Sequence, residues 1–114
     1  MKKSLPKIVE SAKMRPLGYA SNGDFVYYDG LQNGSQKLVP TEQLSEEQLL
    51  KLSIERHLTD VTGSVATLNG DNYSNTQRAK EIQDQTKIGK QLFESDIDYL
   101  KFYLEQFPED CFEK

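Results

Sequence analysis

Residues 18–52, GYASNGDFVYYDGLQNGSQKLVPTEQLSEEQLLKL, decide the fold, because the hydrophobic period changes once within them and each half carries its own turn or cap. Before Pro40, the run Phe25-Val26-Tyr27-Tyr28 is rich in strand formers. It stands between Ser21-Asn22-Gly23 and Asp29-Gly30, which supply residues tolerant of positive φ. This predicts strands over residues 18–20 and 25–28, then a further strand over residues 36–39 after the loop 29–35. Together they form a small antiparallel meander over residues 18–39, ended by Pro40, which has no N–H for a ladder. After Pro40 the spacing turns helical: Leu44, Leu49 and Leu52 recur at five and three residues, with Ile54 following. Ser45-Glu46-Glu47-Gln48 has the spacing of a capping box, so a helix is expected over residues 46–58, with residues 41–44 forming a turn ahead of it.

Working outward, residues 4–15 read as a short helix that Pro16 ends. Residues 60–75, DVTGSVATLNGDNYSN, fit either a frayed strand or a loop, and the loop is preferred because strand alternation holds only over residues 64–68. A polar surface helix is expected over residues 76–93, carrying Ala79, Ile82, Leu92 and Phe93 and interrupted by Gly89. The last helix is expected to start at Ser95 as N-cap, with Asp96 and Asp98 favourably placed in its first turn, and to stop before Pro108. Ile97, Leu100, Leu104 and Phe107 form one stripe on it; Tyr99, Phe102 and Tyr103 form a second. A helix this apolar is expected to be covered on two sides, one by the meander and the other by a neighbouring element, a second copy or a partner.

At 114 residues the chain has the length of one domain with one modest core, so a single α+β domain over residues 1–114 is expected: a small antiparallel meander packed against two to three helices, with a basic segment at residues 1–15 and a flexible loop near residues 60–75. The mean hydropathy of -0.70 is polar for a globular chain. Six tyrosines and five phenylalanines supply the apolar surface that a core needs. Charge is uneven: residues 1–40 carry six Lys/Arg against three Asp/Glu, and residues 41–114 carry eight against fifteen. The basic excess is too small for a nucleic-acid footprint. No apolar run approaches the roughly 18 residues that span a bilayer, so a soluble, cytoplasmic protein is expected. Cys111 is the lone cysteine, which excludes an internal disulfide and a thiolate metal site.

The sequence is poor in reactive patterns. Phosphate-cradling and dinucleotide glycine motifs are both missing, and any triad would have to be built on His57. Asp96 and Asp98, two apart on a helix, diverge and cannot easily hold a cation together. The expectation is therefore a protein that is not an enzyme, with no cofactor and no metal. Tyr19, Tyr27 and Lys37, with the basic N-terminus, are the candidates for an alternative nucleic-acid-binding role by base stacking. The acidic second half speaks against it. The candidate partner-binding residues are Tyr99, Phe102 and Tyr103 with the carboxylates of Asp96, Asp98 and Glu105, since apolar anchors ringed by charge suit an interface. The expected partner is a protein or a second copy, met through the C-terminal helix. Seven carboxylates against two lysines in residues 94–114 could compete with phosphate for a basic surface.

Gly18-Tyr19, Phe25-Val26-Tyr27-Tyr28, Gln36-Lys37-Leu38-Val39, Gln43-Leu44 and Leu49-Leu50 follow one another in an order that resembles a segment of replicative primase–helicase proteins of phages and plasmids. The tryptophan that often closes that segment is absent, and so is any ATPase machinery, so no catalytic residue carries over. The resemblance implies an accessory piece of a mobile-element replication system. With the aromatic helix, it gives the working expectation: a non-catalytic interaction module, a small regulator or inhibitor encoded by a phage or other mobile element.

Overall fold

In the computed structural model, which describes residues 5–8, 10–60, 66–68 and 70–113, the segment after Pro16 opens with a hairpin of two short strands, β1 (Gly18–Tyr19) and β2 (Phe25–Val26). They pair antiparallel with Tyr19 opposite Phe25, their rings 5.0 Å apart. The turn is built from the residues that suit it: Gly23 takes φ 93°, and the Asn22 side chain accepts from the Asp24 amide at 3.0 Å.

The expected third strand does not form. Tyr28 instead opens a short helix, α1 (Tyr28–Gln32), and residues 36–39 contribute a single bridge at Leu38. The reason is a side chain that does a strand's work. The Gln36 amide donates to the Phe25 carbonyl at 3.0 Å and accepts from the Tyr27 amide at 3.1 Å, capping the edge of β2 with a peptide-like group. Gly30 makes room for it, since a Cβ there would run into the Gln36 side chain. Leu38 then ties this segment to the C-terminal one: its amide donates to the Cys111 carbonyl, and its carbonyl accepts from the Glu113 amide, both at 2.7 Å.

After a 3-10 turn at Thr41–Gln43, α2 spans Glu46–Leu58, the bounds read from the sequence. Both arms of its capping box are made, Ser45 Oγ accepting from the Gln48 amide at 3.1 Å and Gln48 Oε1 from the Ser45 amide at 2.9 Å. Part of the preferred loop is a second hairpin, β3 (Ala66–Leu68) against β4 (Asp71–Tyr73), turned by Gly70 at φ 87°. The rest of that loop's first half, residues 61–65 and 69, lies outside the described residues, as does the start of the N-terminal segment. The described part of that segment contains a 3-10 turn at Glu10–Met14.

The C-terminal helices differ most from expectation. The break falls at Gln85, in the left-handed region at φ 52°, and Thr86 caps the next helix through the Gly89 amide at 3.0 Å. So α3 is Asn75–Asp84 and α4 runs unbroken over Lys87–Leu104. Ser95 and Asp96 are therefore mid-helix, not a cap and first turn: residues 90–104 contain no Gly or Pro to stop the helix, and Phe93 extends the Ile97 stripe. Gly89 is a contact point, where a Cβ would collide with the Glu81 carbonyl of α3. α3 lies at the surface as expected, with Thr76, Gln77, Lys80, Gln83 and Asp84 exposed, and it buries Arg78, Ala79 and Ile82 where it packs on α2 and α4. The core joins both halves: Leu17, Val26 and Leu38 from the first meet Leu52, Ile97, Leu100, Leu104 and Phe107 from the helices. With helices outweighing two small antiparallel hairpins, the fold is α+β.

Candidate functional site

Two groups of residues invite a functional reading, and geometry separates them. The first is a polar network between α2, α3 and α4. Ser53, fully buried, donates to Asp96 Oδ2 at 2.6 Å, and His57 Nε2 lies 2.8 Å from the same oxygen. Arg78 Nε donates to His57 Nδ1 at 3.0 Å. Because a guanidinium N–H can only donate, the hydrogen-bond network assigns the proton of a neutral His57 to Nε2, which donates to Asp96. Arg78 continues to Asp60 Oδ2 at 3.2 Å, and Arg15 reaches Asp60 Oδ1 at 3.3 Å.

These are the ingredients of a triad in the wrong connectivity. The hydroxyl sits on the carboxylate rather than on the imidazole, both histidine nitrogens are engaged, and Ser53 has no access to solvent. The network therefore reads as buried and part-buried polar groups that largely satisfy one another, Arg15 Nε having no partner among the described residues. No single stretch of sequence announces it, since its members come from four separate segments, around Arg15, Ser53–Asp60, Arg78 and Asp96.

The second group is the outer face of α4. At about 100° per residue, Phe102 falls opposite the buried stripe of Ile97, Leu100 and Leu104, and it is 66% exposed. Tyr99 is one turn back and 53% exposed, its ring stacked on Tyr103 with centroids 5.7 Å apart and planes 12° from parallel. Beneath it, Arg56 places its guanidinium 5.9 Å from the Tyr99 centroid and donates to the Pro16 carbonyl at 2.8 Å. Burial holds the Arg56 guanidinium below its ordinary value, with Asp96 pulling the other way. Tyr103 is half-buried and bridges face and core, meeting Phe107 edge-on at 5.1 Å. Its hydroxyl is buried and has no hydrogen-bond partner among the described residues, and burial raises its pKa.

Among the candidate partner-binding residues, Tyr99, Phe102, Asp98 and Glu105 share this outer face. Tyr103 is there only in part. Asp96 is not: it turns inward to Ser53 and His57, because it lies nearer the buried stripe than Asp98 does. The nucleic-acid candidates are not brought together as a platform. Tyr19 is only 6% exposed, and its hydroxyl donates to the Gln48 carbonyl at 3.0 Å, so it offers no face to a base. Tyr27 is half-buried, and Lys37 is exposed. Among the described residues no group of three or more His, Cys, Asp or Glu could hold a metal ion, and no helix is long and apolar enough to cross a membrane. No protein-family model, curated protein or solved structure matches this chain.

Proposed function

We propose that this chain is a non-catalytic protein-interaction module that docks a partner protein on the outer face of α4. One observation carries the reading: Phe102, two-thirds exposed, sits at the centre of that face with Tyr99 beside it and Asp98 and Glu105 around it. Burying a phenylalanine against a partner recovers roughly 2–3 kcal/mol that solvent exposure forgoes. Aromatic anchors in a charged surround are the pattern of an interface centre. The carboxylates favour a basic partner surface. The occupied nitrogens of His57 favour a non-catalytic role. The resemblance of residues 18–52 to phage and plasmid primase–helicase proteins suggests the setting, a small regulator or inhibitor acting in mobile-element replication.

The test is a Tyr99→Ala, Phe102→Ala double variant that keeps its far-UV CD spectrum. A partner captured from the native cell and then purified is expected to bind the wild-type chain and to lose affinity for the variant by about tenfold or more. A variant that binds every partner as the wild type does overturns the reading.

A further inference from the structure

Beside the Phe102 face, the C-terminal end of α4 and the turn after Pro40 enclose an open groove of about 520 Å³. Its walls are apolar where they meet the core: Pro40, Leu104, Phe107 and Phe112. Its rim is acidic: Glu42, Glu105 and Glu109, against Lys101. All three glutamates are exposed, and none has an ion-pair or hydrogen-bond partner for its carboxylate among the described residues. Glu105 stands on both surfaces, one helical turn from Phe102, so groove and aromatic face are continuous.

Resting on the interaction reading above, we infer that this groove takes a short basic segment of the partner, one large apolar side chain entering it while flanking lysines or arginines meet the glutamate rim. The volume lies within the range of pockets that hold small ligands, and so is ample for a leucine or phenylalanine side chain. Charge decides the occupant. A second copy meeting it face to face would bring a matching acidic rim onto this one, and phosphate or an anionic lipid surface would be repelled by it. A cationic peptide is attracted by the rim and buries an apolar anchor in the same step.

The test is an NMR titration of the full ¹⁵N-labelled chain with a synthetic peptide carrying one phenylalanine and one leucine among lysines, beside a control in which the lysines are glutamates. Amide shifts are expected at Thr41, Glu42, Lys101, Glu105 and Phe112, with a Kd that weakens as salt rises. A Glu42→Lys, Glu109→Lys variant with a native spectrum is expected to bind about tenfold more weakly. Equal binding of the glutamate peptide, or an unchanged Kd in the charge-reversed variant, overturns the inference. So do shifts that grow with protein concentration in the absence of peptide, since they put a second copy there. Shifts confined to Tyr99 and Phe102 overturn the groove and leave the aromatic face standing. Absence of peptide binding does the same when the cellular partner is still captured through Tyr99 and Phe102, whereas loss of that capture in the wild-type chain removes both.

Discussion

Asp96 and Asp98 show how much a two-residue step on a helix decides. The first accepts hydrogen bonds from buried Ser53 and from His57; the second faces solvent. Asp96→Ala strips the acceptor from both donors and leaves the buried Ser53 hydroxyl and the His57 Nε2–H unpaired. It is expected to cost about 2–4 kcal/mol in urea unfolding. Asp98→Ala touches nothing buried and is expected to stay within about 0.5 kcal/mol of the wild type. Equal effects from the two would mean that the network does not form. Sequence alone placed both carboxylates on a helix and saw that they diverge. It could not say which one turned inward, because that depends on α2 and α3 arriving alongside.

For the elements, what was legible was what local chemistry specifies. The first hairpin turn, the capping box at Ser45 and both bounds of α2 follow from neighbouring residues. The third strand failed because the Gln36 side chain, rather than backbone from residues 36–39, fills the edge of β2. The break near residue 85 was missed because a left-handed glutamine carries no warning in sequence, whereas Gly89 carried a false one. Its real task is close approach to α3, and this sets two effects against each other. Alanine at position 89 gains about 1 kcal/mol of helix propensity, but its Cβ must displace the Glu81 carbonyl, at a cost of about 2 kcal/mol or more. Gly89→Ala is therefore expected to lower the unfolding midpoint. A raised midpoint would place α3 and α4 further apart than described.

Across the whole molecule, the core ties the first hairpin to the C-terminal helices, and buried phenols lie at that seam. Burial raises the pKa of Tyr19 and of Tyr103, with smaller contributions from Glu47 and Glu55 for the former and chiefly Tyr99 for the latter. Below about pH 10 both phenols are neutral folded or unfolded, and their contribution is fully present. Above it the unfolded chain ionises first, so stability is expected to fall as pH rises through the folded values. Denaturant midpoints measured from pH 8 upward check this, and a midpoint that held or rose beyond pH 10 would contradict it. The outer face of α4 was read from sequence as a second aromatic side needing cover. Of its three rings, Tyr103 is half-enclosed by the chain itself, while Tyr99 and Phe102 are left outside. The most direct test of that face is hydroxyl-radical footprinting by mass spectrometry, on the chain alone and in its complex with the captured partner. Tyr99 and Phe102 are expected to be oxidised readily in the free chain and protected in the complex; equal oxidation in both states would contradict the docking role of α4.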